Sequence, residues 1–258
     1  MFPLAHAWLI ERLVPAATPA HYLGCIWPDM LFGSPLSHHQ SHGSGILLAD
    51  AIKGLPDGPA RDEFRAFVAG VLSHGSEPRG FDWYSDEQYG GRAVSERGYA
   101  FQQARPIADD AASACGVARD LGWWKAHNIV ENAFERRFYL SAPHLGDSLA
   151  AACVDEPLRS RIASVLAPIF GQPAEELSGA MLRFPSVVTF APATARPLAE
   201  KYAEQTRIKH AGSAPDVAAI ERLILRAEEL IAPTRDAYLA DCEADVGRMI
   251  RAVLIDAE

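Results

Sequence analysis

Histidine side chains are concentrated in the first part of the chain. Eight of the nine histidines precede residue 145, and only His210 follows. The eight are His6, His21, His38, His39, His42, His74, His127 and His144. A single histidine is usually a surface or hydrogen-bonded core residue. Zinc and related ions, however, are bound by imidazole and carboxylate groups contributed by several elements. The crowding therefore predicts a metal site in the N-terminal part of the chain.

One pair of ligand-type residues lies at helical spacing. His127 and Glu131 are four residues apart in a segment that predicts a helix over 123–139. Positions i and i+4 project from the same face of a helix, so both side chains can reach one ion. The alternative is an ordinary polar pair on a solvated face. Glu135 continues the same face and could orient a metal ligand by hydrogen bonding to it.

Two other patterns place a ligand-type residue where a predicted helix ends. Asp29 follows Pro28, where the chain bends and a carboxylate can point into a cleft; the alternative is a turn aspartate. His74 ends a strongly apolar helix predicted over 59–73 and could project into a cavity, or it could be a capped core residue. Both positions are compatible with ligands that face the same cavity.

A segment rich in glycine, serine and proline, residues 33–45, carries three more histidines. His38, His39 and His42 lie close together in it, and the composition predicts at least partly loop structure. A loop with three histidines is either metal-binding or solvated.

The elements that must position these residues are predicted to be helical throughout. Apolar residues recur at three-and-four spacing, with charges opposite, and breaks fall at proline or glycine. A weak strand pattern over 186–190 is the exception. We expect one continuous domain, in which residues 1–140 form a helical metal-binding core and residues 141–258 pack on it without supplying a ligand. The predicted helices include 4–13, 59–73, 107–117, 123–139, 157–170, 173–182, 193–210 and 216–256.

Composition and sequence patterns limit the kinds of binding partner and the cellular compartments that are expected. The net charge of −9 argues against a general nucleic-acid surface, because phosphate binding normally needs a basic face. No apolar run approaches the ~20 residues of a membrane span. The N-terminus lacks the basic leader of a signal peptide, so a cytoplasmic location is expected. The four cysteines are widely spaced and are expected to be buried and free.

Taken in order, these motifs resemble the zinc-dependent phospholipase C / P1 nuclease family over residues 4–135. The resemblance implies an all-α, multi-helix bundle that holds one to three divalent ions, normally zinc. It assigns ligand roles to His6, Asp29, His42 or alternatively His38, His74, and the pair His127 and Glu131.

The chain departs from the family pattern in two respects. The family places an aspartate four residues after the equivalent of His74, followed by a further histidine. Here that position is Pro78, and no histidine occurs between His74 and His127. Glu77 or Asp82 could replace the missing aspartate. The family's secreted members also use the mature N-terminal amine as a ligand, for which this sequence predicts no processing.

The resemblance implies a hydrolase that cleaves a phosphodiester or phosphomonoester with metal-activated water, which Asp29 orients or deprotonates. The expected substrate is a small phosphate ester or a phospholipid head group, and nucleic acid is disfavoured by charge. The alternative is a catalytically degenerate helical binding protein that keeps the scaffold with zero or one metal. The sequence leaves the substrate and the oligomeric state open.

Overall fold

The computed structural model of the chain describes residues 3–30, 35–91, 97–187 and 194–255. Within these ranges the chain forms α-helices and no β-strand, which confirms the predicted all-α class. The α-helices are α1 (Pro3–Leu13), α2 (Pro19–Ile26), α3 (His38–His42), α4 (Gly45–Ile52), α5 (Pro59–His74), α6 (Tyr99–Ala104), α7 (Ala108–Cys115), α8 (Gly122–Ser141), α9 (His144–Val154), α10 (Glu156–Phe170), α11 (Ala174–Val187), α12 (Ala195–Lys209), α13 (Val217–Ile231) and α14 (Arg235–Ile255).

The structure adds detail to the sequence expectations at three places. The histidine-rich segment contains the short helix α3, because the Ser37 hydroxyl accepts a hydrogen bond from the Gln40 N–H and caps it. The predicted helix over 216–256 is two helices, α13 and α14, separated at 232–234 by a break that includes Pro233. Of the weak strand pattern, residues 186 and 187 lie in α11, and residues 188–190 lie outside the described ranges.

The chain divides into two compact units, each built from three segments. The first unit comprises residues 1–5, 84–143 and 191–240, and the second comprises 6–83, 144–190 and 241–258. Each unit contains residues from both sides of position 140. The predicted packing of residues 141–258 on residues 1–140 stays a prediction.

The first unit is organised around α8, which packs against α6, α7 and α13. Its inner face carries Ile129, Val130 and Phe134, each at most 1% exposed. The rings of Tyr99 and Tyr238 stack with centroids 4.0 Å apart and complete this aromatic core. Burying such an apolar stripe stabilises a helix far more than its intrinsic propensity does. The core therefore fixes α8, the helix on which His127 and Glu131 lie.

In the second unit, α2 and α5 approach each other so closely that neither has room for a side chain at the crossing. A Cβ at Gly24 would overlap the carbonyl oxygen of Phe67. A Cβ at Gly70 would lie 2.6 Å from the backbone nitrogen of Cys25. Glycine is required at both positions because only hydrogen fits between the backbones. The contact holds the end of α2, which leads to Asp29, against the helix that ends at His74.

Two other sequence expectations are confirmed. All four cysteines are free and buried. No helix in the described part of the chain is both long enough and apolar enough to cross a bilayer.

The α2–α5 contact yields a stability prediction. Gly70→Ala should lower the free energy of unfolding by about 1–3 kcal/mol, because the added methyl forces the two backbones apart. Gly54→Ala is the matched control, since its Cβ would meet only Ala51 at an ordinary 3.6 Å. Urea denaturation followed by circular dichroism measures both. Equal stability of the two variants would contradict the close approach of the α2 and α5 backbones.

Candidate metal sites

Five ligand-type side chains converge in the second unit from five different segments. His6 comes from α1, Asp29 from the 3₁₀ turn after α2, His42 from the end of α3, His74 from the end of α5, and Asp82 from the segment that follows. The three histidines and Asp29 are at most 7% exposed, and Asp82 is half-buried. We call this set the histidine cluster.

The donor atoms of the histidine cluster lie within one small volume around Asp82. Its Oδ1 is 3.4 Å from His6 Nε2, and its Oδ2 is 3.1 Å from His74 Nε2 and 3.4 Å from His42 Nε2. Asp29 Oδ1 lies 3.8 Å from His42 Nε2. Two overlapping three-ligand groups result, in each of which the donor atoms are within 4.8 Å of one another: His6, His74 and Asp82, and Asp29, His42 and His74.

Backbone carbonyls orient two of the imidazoles. His74 Nδ1 lies 2.6 Å from the carbonyl oxygen of Cys25, and His42 Nδ1 lies 3.2 Å from that of His38. A carbonyl oxygen only accepts, so each Nδ1 carries the proton and donates it. Nε2 of each ring then faces the carboxylates, where it carries a proton in the charged ring and offers a lone pair in the neutral ring. Histidines that bind metals have this same arrangement, with the second nitrogen donating to a backbone oxygen.

A tight loop explains why Asp82, rather than a residue four positions after His74, completes the cluster. The Gly80 N–H donates to the Gly75 carbonyl at 2.8 Å, so the chain turns back on itself directly after α5. A Cβ at Gly80 would lie 2.6 Å from that same oxygen and 2.7 Å from the His74 carbonyl carbon. Glycine at this position allows the chain to return beside His74, and Asp82 follows two residues later. Glu77 is on the exposed side of the loop.

The charges within the histidine cluster are mutually dependent. Burial disfavours the charged form of His74, but the Asp82 carboxylate outweighs burial and raises the pKa of His74. Burial, together with the neighbouring His74, lowers the pKa of His6 well below its usual value. The two rings stack with centroids 3.6 Å apart. A second positive charge is therefore disfavoured on His6, which keeps its nitrogen lone pair available for a ligand.

The environment of the Asp29 carboxylate indicates whether the cluster suits a cation. Its Oδ2 is buried and has no hydrogen-bond partner among the described residues. An unsatisfied buried carboxylate oxygen is costly unless a positive charge compensates it. The set of neutral imidazoles and carboxylates matches the ligands of zinc and similar divalent ions. The residues of the cluster therefore fit such an ion.

A second cluster lies in the first unit and consists of Asp86, His127 and Glu131, which we call the Asp86 cluster. His127 Nε2 is 2.8 Å from Asp86 Oδ1 and 3.2 Å from Glu131 Oε1. His127 Nδ1 lies 3.0 Å from the amide oxygen of Asn128 and donates to it. His127 and Glu131 are buried, so the i,i+4 pair does not lie on a solvated face.

Sequence reasoning missed Asp86. It lies in the π-helical turn Trp83–Glu87. The Gly98 N–H donates to the Asp86 carbonyl at 3.1 Å, and a Cβ at Gly98 would overlap the peptide between Ser85 and Asp86. The only sequence signals for Asp86 are the acidic residues after Phe81 and the glycine at 98. Neither indicates which carboxylate turns toward His127.

The structure brings most of the predicted ligands together, but in two sets. His6, Asp29, His42 and His74 are in the histidine cluster of the second unit, whereas His127 and Glu131 join Asp86 in the first. The prediction that His127 and Glu131 share an ion with His74 stays a prediction.

The positions of three further residues bear on the sequence-based expectations. Of the two loop candidates, His42 is in the cluster, while His38 is exposed and stacks on the His42 ring at 3.8 Å. Of the two candidate acids, Asp82 is in the cluster and Glu77 is not. Glu135 accepts hydrogen bonds from the N–H groups of Leu4, at 2.9 Å, and Ala5, at 3.3 Å, and so caps the start of α1.

The metal-free protein should show a pH-dependent stability that originates at His127. Burial disfavours its charge, but Asp86 and Glu131 raise the pKa of His127 to about 9. Because the folded-state pKa exceeds the usual 6.5, the stabilisation is fully present below pH 6.5 and is lost as the pH rises through about 9. Chelator-treated protein should lose about 1–3 kcal/mol of unfolding free energy over that range in urea denaturation.

The His127→Gln variant isolates this contribution. Glutamine keeps a polar side chain at position 127 but cannot carry the charge. The difference in unfolding free energy between wild type and variant should shrink from pH 6 to pH 9, whereas other titrating groups affect both proteins alike. A difference that stays constant over that range would show that His127 is not held protonated by its carboxylates.

No known protein family, no curated protein and no solved structure matches the chain. The resemblance to the zinc-dependent phospholipase C / P1 nuclease family therefore depends on the short motifs alone.

Proposed function

We propose that the protein is a metal-dependent phosphoric ester hydrolase. The observation that carries the proposal is the histidine cluster, in which five buried or half-buried ligand-type side chains from five segments point their donor atoms at one another. Such an arrangement in an apolar interior is costly unless a cation is bound among the donors.

Each three-ligand group is a candidate for one divalent ion. The two groups of the histidine cluster are alternatives, because they share His74, whose Nδ1 donates to the Cys25 carbonyl so that only Nε2 can bind an ion. In the histidine cluster these are His6 with His74 and Asp82, and Asp29 with His42 and His74. In the first unit the group is Asp86 with His127 and Glu131. A divalent ion bound there lowers the pKa of water and neutralises negative charge on phosphate oxygens.

The chain's own residues supply the remaining parts of the reaction. Asp29 has an acceptor atom, Oδ2, that no described residue uses, so it can orient a water molecule and take its proton. The carbonyls of Cys25 and His38 hold the His74 and His42 rings in place while charge develops. Substrates that suit such a site are small phosphodiesters or phosphomonoesters, including phospholipid head groups.

A helical binding protein that has lost catalysis is the second candidate. It is favoured by the donor set of the Asp86 cluster, where two carboxylates accompany one imidazole. Carboxylate-rich sets suit harder ions such as Mg²⁺ or Mn²⁺, whereas imidazole suits zinc. An ion in the first unit could then be structural while the histidine cluster carries out no reaction.

Metal analysis and turnover together separate the two candidates. Protein purified without chelator should contain bound divalent metal and hydrolyse bis(p-nitrophenyl) phosphate, and chelation should abolish the hydrolysis. His74→Ala removes the residue common to both groups of the histidine cluster, so it should lower metal content and reduce kcat/KM at least 100-fold. His144→Ala is the control, because among the described residues that exposed histidine pairs with Glu11 alone, and its loss should leave both quantities unchanged. Bound metal without turnover would support the binding protein instead.

The first-unit ion has a separate test in His127→Ala. Loss of this ligand should remove metal from the Asp86 cluster and, in metal-loaded protein, lower the melting temperature, since a ligand that binds only the folded state stabilises it. Mass spectrometry under native conditions and calorimetry measure the two effects. If neither quantity changes, the pair with Glu131 is an ion pair without metal.

A further inference from the structure

Arg97 is an arginine of the first unit without a carboxylate partner. Among the described residues no acid lies within ion-pair distance of its guanidinium, whereas Arg119, Arg136 and Arg226 in the same unit each pair with a carboxylate. Its side chain is half-buried. A guanidinium has five N–H donors, and none of those of Arg97 is hydrogen-bonded to another described residue.

The Arg97 guanidinium is held by aromatic rings instead. Its Cζ lies 4.7 Å from the centroid of Phe101 and 5.9 Å from that of Trp124. Cation–π contacts fix the plane of a guanidinium without using its N–H donors. Trp124 is 48% exposed, so this part of the surface is accessible to a ligand.

The backbone of Arg97 is held in an unusual conformation. Its φ of 59° lies in the left-handed region, which residues other than glycine seldom adopt. The Gln102 side-chain amide donates to the Arg97 carbonyl at 2.9 Å, and the next residue, Gly98, is hydrogen-bonded to Asp86. Strain that is maintained by several contacts is typical of functional positions.

The ring of Phe101 also connects Arg97 to the Asp86 cluster. It stacks on His127 with a centroid distance of 4.0 Å. Since the imidazole and the guanidinium both contact one phenyl ring, at 4.0 and 4.7 Å from its centroid, they are separated by no more than the two distances together. A phosphate that has one oxygen on a metal ~2.1 Å from an imidazole nitrogen and another oxygen ~2.8 Å from a guanidinium spans such a separation.

We propose that Arg97 is the phosphate-binding residue of the Asp86 cluster, where its guanidinium donates to the non-bridging oxygens of a phosphate ester held at that cluster. The proposal rests on the proposed function, because it assigns a substrate contact to one of the candidate metal groups. Three separate observations support this assignment: the lack of a carboxylate partner among the described residues, the contacts of the guanidinium with two aromatic rings, and the contact that Phe101 makes with both Arg97 and His127. An arginine suits this task better than a lysine, because its planar fork matches two phosphate oxygens at once.

The alternative explanation is that Arg97 only packs on aromatic side chains. Arg105 provides the matched comparison. It lies over the Trp123 ring at 5.4 Å and likewise has no carboxylate partner among the described residues. Among the described residues, Trp123 makes no ring contact with His127, whereas Phe101 does. A role in packing would make the two arginines equivalent, whereas a role in phosphate binding would not.

The test is the binding of inorganic phosphate to metal-loaded full-length protein, measured by isothermal titration calorimetry. Arg97→Gln should weaken phosphate binding at least tenfold with metal content and melting temperature unchanged. Glutamine is also a polar side chain, but it lacks the positive charge and the planar, forked set of N–H donors. Arg97→Lys should recover only part of the affinity, and Arg105→Gln should bind as wild type does. The salt dependence of binding should also be smaller in Arg97→Gln.

Two results would overturn the assignment. One is wild-type affinity for phosphate in Arg97→Gln, and the other is a metal-loaded wild type that binds no phosphate. The proposed function fails differently, by an absence of hydrolysis. A protein that binds phosphate through Arg97 without hydrolysing esters would disprove the hydrolase and retain this binding site.

Discussion

The close contact between α2 and α5 determines whether the histidine cluster can exist. Gly24 and Gly70 allow the two backbones to touch, so that the Cys25 carbonyl comes within 2.6 Å of His74 Nδ1. That hydrogen bond sets the ring orientation of the residue shared by both three-ligand groups. α2 leads directly into the turn that carries Asp29. The same contact therefore also positions Asp29 Oδ2, which has no hydrogen-bond partner among the described residues. A larger residue at either glycine would alter several ligands at once.

Both clusters place groups of opposite charge beside one another in the protein interior. Asp82 is surrounded by three imidazoles, and His127 by two carboxylates, in an interior where an isolated charge is expensive. Without an ion, protons serve as the compensating charges, as the raised pKa of His74 and of His127 indicates. Under the proposed function, a divalent cation would replace those protons, and ion binding would be coupled to proton release.

The sequence predicted the helices and singled out most of the ligand-type residues that lie in the two clusters, but it did not single out Asp86. Helical periodicity is a local property, and it placed His127 and Glu131 on one face correctly. The end of α5 at His74 was likewise readable from Gly75. The choice of Asp82 over Glu77 depended on how tightly the chain turns at Gly80, and the involvement of Asp86 depended on Gly98. Both are contacts between backbones that no residue pattern specifies. Arg97 was not predictable either, because its neighbours Phe101 and Trp124 are not residues of a metal-binding motif.

The short segment from Phe81 to Glu87 contributes Asp82 to one cluster and Asp86 to the other. Each aspartate is positioned by a backbone hydrogen bond within its own unit, at Gly80 for Asp82 and at Gly98 for Asp86. Gain or loss of a residue beside either aspartate would move that carboxylate away from its partners. The connection between α4 and α5 is the opposite case. Residues 53–58 are largely exposed and contribute no ligand to either cluster, and Gly58 has open space around it. Over evolutionary time, insertions should accumulate in this connection, while the segment that bears the two aspartates should keep its length even where its other residues change.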